Sequence, residues 1–225
     1  MDLTVSPIES KLAQEVVTKY HYLHRKASCM SAYGLYKGNE LIGVCVFGKP
    51  ASNCPCMLFG KDETPHVVEL TRLFTADNHI PNKESYFIGK CLKLLPKEYD
   101  IVISYADKSV GHTGYIYQAT NWTYFGLTDK HVEWYYDGAP KKHIRHFWDE
   151  FGGVNEAKKA LGDKLQRRER PRKYRYFYLR GNKHRRKYLM SQFRYADQIQ
   201  PYPKADNVLA NDETNTIQTA QTTLF

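Results

Sequence analysis

The sequence predicts an α+β fold, and three observations carry that prediction. Two segments of ten or more residues place apolar side chains at helical spacing. Short apolar runs bounded by Gly, Pro and Asn lie around them and read as strands. The order along the chain is helix, hairpin, strand, helix, strand, helix, strand, and its later half alternates as βαβ units do.

Ser6-Pro7-Ile8-Glu9 has the form of a helix start, with Ser as N-cap, Pro in the first turn and Glu three residues after the cap. Leu12, Val16, Val17 and Tyr20 continue at helical spacing, so the helix is expected to end near Tyr20-His21. His21-Tyr22-Leu23-His24-Arg25 follows as a polar-aromatic loop. Residues 29–36 read as a strand, Gly38-Asn39 as a two-residue turn and residues 41–47 as the return strand of a hairpin. Residues 50–65 lack periodicity. Residues 66–75 form a third apolar strand in which Glu69 and Arg72 are the two odd charges. Pro81 to Ser85 leads into a helix that carries Phe87, Cys91 and Leu94 or Leu95 on one face and stops before Pro96.

Residues 99–126 are the centre of the chain. Ile101-Val102-Ile103 is a buried-strand run, and it ends at polar Asp107. Gly111 and Gly114 flank His112, a short helical segment runs to Thr120, and residues 122–125 form an aromatic strand. Polar groups at the carboxyl end of such a strand stand where α/β sheets place ligands. Ser104, Asp107, His112, Tyr117 and Asn121 are therefore candidate site residues. A helix continuing that far would put Tyr117 and Asn121 on one face. Each candidate also has a plainer reading: Asp107 as a turn cap, Glu69 and Arg72 as an ion pair, His21-Tyr22 as surface residues.

A chain of 225 residues with 42% hydrophobic residues fits one domain, or one domain with an appendage. Five cysteines, no signal peptide and no apolar span of about 18 residues point to a reducing cytoplasm and no membrane partner. Cys54-Pro55-Cys56 is too short for a zinc site without a second pair nearby. The net charge of +9 is concentrated: residues 141–195 hold 18 Lys+Arg against 5 Asp+Glu. Arg167, Arg168, Arg172, Lys173, Arg175, Arg180, Arg185 and Arg186 are interleaved there with Tyr174, Tyr176, Phe177 and Tyr178. Such a surface neutralises phosphates while its aromatics pack or stack, so the expected partner is a phosphate-bearing polyanion, of which double-stranded DNA is one. The expected division is a core over 1–140, a basic extension over 141–205 packed on it, and a flexible polar tail over 206–225.

The segment YADKSVGHTGYIYQATNW resembles the signature of the Mom proteins of Mu-like bacteriophages, best over residues 67–126, with His21-Tyr22 as an outlying agreement. That resemblance implies a GNAT acyltransferase-like mixed sheet flanked by helices. It implies addition of a methylcarbamoyl (acetamido) group to the exocyclic amine of adenine in phage DNA, in the cytoplasm of the infected host, which protects the DNA from restriction. By the same resemblance His21, Tyr22, Arg72, Asp107 and Tyr117 are catalytic, with Asp107 as base and Tyr117 as its partner. Ser104, His112 and Asn121 would bind substrate. Iron is implied as a cofactor with His21 as its ligand, and acetyl-coenzyme A or a related compound as donor. One departure stands against ordinary coenzyme A binding: the loop at residues 76–81 contains no glycine. A homodimer remains open as an assembly state. Two other readings are an acyltransferase acting on protein or a small molecule, and a non-enzymatic DNA-binding anti-restriction protein.

Overall fold

The computed structural model describes residues 2–77, 79–137, 147 and 150–204. The first half contains β1 (Leu3–Pro7), α1 (Ser10–Tyr20), β2 (Ser31–Lys37), β3 (Glu40–Gly48), the single turn α2 (Asn53–Cys56), β4 (Val67–Thr75) and α3 (Lys83–Leu94). β5 (Ile101–Asp107), the single turn α4 (Tyr115–Gln118), β6 (Thr123–Leu127) and β7 (His131–Tyr135) follow. The last described elements are α5 (Val154–Leu161), β8 (Gln166–Arg170), β9 (Lys173–Leu179) and α6 (Lys183–Gln192). Seven strands form one mixed sheet in the order β1-β2-β3-β4-β5-β9-β6, and β7 and β8 form a separate two-stranded ribbon. The fold is therefore α+β, with β4 and β5 as the parallel pair. No helix among the described residues is long and apolar enough to cross a membrane.

Alternation along the strands divides the core between the two faces of the sheet. On β5, Val102 and Ala106 pack with Phe87, Ile88 and Cys91 of α3, while Ile101 and Ile103 pack with Phe59, Leu189 and Phe193. β9 repeats the pattern: Tyr174 and Tyr176 join the α3 side, and Phe177 joins the other. A third cluster seats Ala13 and Val17 of α1 on Ala32, Val44 and Val46.

Two sequence expectations need correction. Ser6 and Pro7 do not begin the first helix. They lie in β1, which pairs with β2 from Leu3↔Lys37 to Pro7↔Tyr33, and α1 starts at Ser10. Pro tolerates this place because an edge strand needs no second partner for its missing N–H. Strands β5 and β6 are not neighbours, since β9 lies between them and pairs antiparallel with both. The expected boundary at residue 140 precedes β9 in the chain. β9 comes from the basic segment, yet Tyr174, Tyr176 and Phe177 are buried in the main core. Aromatic burial outweighs the interleaved charges because the charges of β9 leave at its ends or on hydrogen-bonded stems. The expected tail over 206–225 lies outside the described residues.

Arg180, just past β9, shows where such a charge goes. Its Nη1 donates to Pro96 O at 2.7 Å and also to Tyr99 O, and Nη2 donates to Leu95 O at 2.6 Å. It thus satisfies the C-cap carbonyl of α3 at Leu95 and two carbonyls of the turn that follows. Arg180→Ala is expected to lower the unfolding free energy by about 3 kcal/mol, since these are hydrogen bonds to a charged group. Urea denaturation of the variant measures the loss, and unchanged stability would show that Arg180 has no structural duty.

Candidate functional site

The sheet opens where β4 and β5 stop pairing. Their parallel ladder covers only Val67↔Ile101, Val68↔Val102 and Glu69↔Ile103. Beyond it, β4 stays with β3 as far as Thr75, and β5 stays with β9 as far as Asp107. Ser104 stands at the fork. Its Oγ donates to Leu70 O at 2.9 Å and lies 2.8 Å from the Tyr117 hydroxyl, which therefore donates to it. The opening is a cavity of about 350 Å³ lined from β4, β5, the segment after α1 and the turn leading into α4.

A bulge in β4 sets what faces this cavity. Phe47 pairs with Leu70 and Val46 with Arg72, so Thr71 is an extra residue. The Thr71 hydroxyl donates to Val46 O at 3.1 Å and to Ser28 O at 3.2 Å, which holds the bulge. Strict alternation would send Glu69 and Arg72 to opposite faces; the extra residue lets both line the cavity.

The charges in the cavity are few and close. Burial pushes the Glu69 carboxyl up to about 7, against the pull of Lys173, Arg72 and the Ala51 N–H in the other direction. Arg72 is itself pushed down by burial; its Nη1 donates to Thr71 O at 2.6 Å, while its buried Nε has no hydrogen-bond partner among the described residues. Asp107 Oδ1 accepts from Ser109 N at 3.0 Å and Ser109 Oγ at 2.6 Å, and Oδ2 lies 3.9 Å from Lys173 Nζ. Asp107 is therefore a turn cap whose second oxygen faces Lys173 across the cavity.

His21 is 8% exposed and stacks on Tyr22 at 4.4 Å between ring centroids. Its Nδ1 accepts the Leu23 N–H at 3.2 Å, so the ring proton sits on Nε2. Burial, with Arg72 and His112 nearby, pushes its pKa down to about 4, and the imidazole is neutral at physiological pH. Iron does not fit these donors. The Nδ1 lone pair is taken, Nε2 is a donor, and no group of three or more His, Cys, Asp or Glu among the described residues is placed to hold an ion.

The sequence candidates separate cleanly in space. His21, Tyr22, Arg72, Asp107, His112 and Tyr117 all line the one cavity. The Tyr117 hydroxyl bonds Ser104 rather than Asp107, and burial raises its pKa further above 10. Ser104 is 1% exposed, with its hydroxyl committed at the fork. Asn121 does not share a helix face with Tyr117: α4 stops at Gln118, and Asn121 takes φ +60°. Glu69 and Lys173 line the cavity although the sequence does not mark them as site residues of this kind. Glu69 is visible there only as an odd charge; Lys173 arrives through the register Asp107↔Lys173.

The basic residues also divide. Arg167 and Arg168 are exposed on β8, with Arg168 Nε donating to Glu133 at 2.7 Å, and Arg186 is exposed on α6. Arg172 donates to Thr128 O. Arg175 donates to Phe125 O at 2.9 Å and to Gln198 at 2.6 Å, over the Phe125 ring. Arg185 pairs with Glu63 and with Asp100 at 2.6 Å. These last three guanidinium groups, with Arg180, hold the fold together from within. In the loop after β4, Ala76 N donates to Ile42 O at 2.8 Å and Ala76 O accepts from Lys83, which leaves Ala76 no amide for a pyrophosphate.

The fork thus gathers a carboxylate, a guanidinium, an ammonium and a neutral imidazole around one opening of a mixed sheet. The chain belongs to the Mom protein family, whose family model matches residues 2–204. It is 30% identical over 132 residues to the methylcarbamoylase mom of Escherichia phage Mu, covering 56% of this chain and 54% of that relative. The chain thus spans about half the length of the curated relative it matches. Solved structures with similarity include a GNAT family acetyltransferase from Streptococcus pneumoniae, at 8% identity and TM-score 0.46, covering 80% of this chain and 100% of that one. An N-acetyltransferase from Staphylococcus aureus Mu50 has 8% identity and TM-score 0.46, covering 80% and 99%.

Glu69 gives the site a pH signature. In the fold it keeps its proton up to about pH 7, whereas an unfolded glutamate releases it at 4.5. Its raised pKa therefore favours the folded state below 4.5, and that contribution is lost as pH rises through 7. Glu69→Gln keeps the neutral form at every pH. It is expected to exceed the wild type in stability above pH 7 by roughly 2 kcal/mol, after allowance for partial solvent exposure, and to match it in acid. Thermal unfolding across pH measures the difference; equal stability at all pH values would mean that Glu69 titrates normally.

Proposed function

We propose that this protein transfers a methylcarbamoyl group to the exocyclic amine of adenine in DNA, and that the modification protects phage DNA from restriction. The observation that carries the reading is the fork between β4 and β5, where Glu69, Arg72, Asp107, Lys173 and His21 converge on one cavity. Membership of the Mom family and similarity to the methylcarbamoylase mom of phage Mu support this choice of reaction.

The chemistry sets three demands. The adenine amine is a poor nucleophile because its lone pair is delocalised into the ring. As the new bond to nitrogen forms, one N–H proton must leave. Glu69 meets that demand, since a carboxylate pushed up to about 7 is partly ionised near neutrality and holds a proton well once it has one. Lys173 and Arg72 keep enough of it ionised to act. The sequence makes Asp107 the first choice as base. With Oδ1 committed to Ser109, it is better suited to orient the amine through Oδ2. The second demand arises because the bond between the transferred carbon and the donor's leaving group breaks as the N–C bond forms, and the electron pair that stays on the leaving group needs stabilisation. The unpartnered Arg72 Nε–H and the His21 Nε2–H are donors for it, and a neutral imidazole can play that part as well as a charged one.

The third demand is access. A base in a duplex cannot reach a cavity lined from the sheet fork, so the target nucleotide must leave the stack. The exposed arginines of β8 and Arg186 of α6 supply phosphate contacts that hold the duplex during that step.

The test is nucleoside analysis by mass spectrometry of total DNA from cells expressing the wild type, Glu69→Gln or Asp107→Asn. Wild-type cells are expected to contain deoxyadenosine carrying an acetamido substituent. Glu69→Gln should reduce it at least a hundredfold, within the range for loss of a general base, and Asp107→Asn should also reduce it strongly. Unmodified DNA beside a modified protein or metabolite would assign a different acyl acceptor. Restriction protection without any altered nucleoside would make the protein a DNA-binding factor.

A further inference from the structure

The mouth of the cavity carries an aromatic side chain that no step of the proposed reaction uses. Tyr115 lines the cavity and is 74% exposed, the most exposed of the large hydrophobic residues described. Its ring has no aromatic partner among the described residues, whereas Tyr117 two positions on packs against Trp122 and Tyr176. The backbone that presents Tyr115 is nevertheless firmly held. Gly114 takes φ +83°, and a Cβ there would lie 2.4 Å from the Tyr176 ring, so the position accepts only glycine. The Tyr176 hydroxyl donates to Thr113 O, and Gly114 O accepts from Tyr117 N at 2.9 Å. A rigid turn thus holds a bare ring at the entrance.

A second exposed ring stands at the same entrance. Tyr22, 45% exposed, comes from the segment after α1 and meets His112 edge-on at 5.8 Å between centroids. Deeper in, the cavity is lined by Glu69, Arg72, Asp107 and Lys173. Charged groups inside and flat apolar rings at the rim suit a ligand with an exocyclic polar group on a planar ring.

We propose that Tyr115 forms a stacking platform for the extruded purine, with Tyr22 as a second wall, so that the base is held by its faces while its amine points to the carboxylates. The proposal rests on the base-modification reading of the cavity. Stacking of a base on an aromatic side chain is sequence-tolerant and of substantial strength, so the ring rather than the hydroxyl is the working part of Tyr115.

The experiment compares wild type, Tyr115→Ala, Tyr115→Phe and Tyr115→Trp. The probes are two labelled single strands of one sequence, one with a single adenine in a thymine background and the other with an abasic site at that position. Affinities are read by fluorescence anisotropy over a salt series, and thermal unfolding checks that each variant is folded, which the exposure of Tyr115 favours. The wild type is expected to prefer the adenine strand. Tyr115→Ala should reduce that preference about tenfold, Tyr115→Phe and Tyr115→Trp should retain it, and the salt slopes should not change. An undiminished preference in Tyr115→Ala overturns the platform while leaving base modification intact. A wild type that neither prefers adenine nor modifies DNA overturns the reading on which the platform rests.

Discussion

The ladder between β4 and β5 ends after three residue pairs, and the rest of the site depends on that early end. A sheet that stayed closed would pair the backbone of residues 70–75 with that of β5 and bury the side chains between helices. The closed alternative is prevented at both sides. β4 is bound along β3 with a bulge at Thr71, and β5 is bound along its whole length to β9. At the fork itself, the Ser104 hydroxyl takes over the acceptor Leu70 O that the ladder no longer serves. Leu70 O is therefore satisfied at the apex of the opening, which is what such a break inside a core requires.

Charge in the opening is balanced in number but not in hydration. Glu69 and Asp107 face Arg72 and Lys173, yet burial dominates at Glu69, Arg72 and His21, and each is shifted toward its neutral form. Desolvation of this size is costly to stability and useful to proton transfer, because it brings a carboxylic acid close to neutral pH and keeps an imidazole uncharged. The basic segment makes the opposite use of its charges. Arg175, Arg180 and Arg185 are anchored to carbonyls or carboxylates within the fold, which leaves the ribbon of β7 and β8 and the outer face of α6 as the cationic surface.

Much of the molecule is legible in its residues, and the misses have particular causes. Strand ends, the hairpin at Gly38-Asn39 and the helix before Pro96 follow from local pattern, and the structure places them within a few residues of where the pattern does. Ser6-Pro7 misleads because a helix-start signal and an edge-strand proline use the same residue types. His21, Tyr22, Arg72 and Asp107 meet in one cavity although they are far apart in the chain, and only the family resemblance links them in the sequence. Glu69 stays hidden because strand alternation sets it opposite Arg72, and nothing in Leu70-Thr71 announces a bulge. Lys173 and Arg175 read as a phosphate-binding run because pairing of β9 with β5 is a long-range fact that charge counting cannot see.

The central claim is that the amine loses its proton to Glu69 in the fork. The measurement that tests it most directly is the single-turnover rate of DNA modification as a function of pH, for wild type and Glu69→Gln at saturating DNA. The wild-type rate should rise along a limb centred near pH 7, following ionisation of the buried carboxyl, and Glu69→Gln should lose both the limb and most of the rate. A wild-type rate that is flat across that region, or a Glu69→Gln protein that turns over at the wild-type rate, would contradict it.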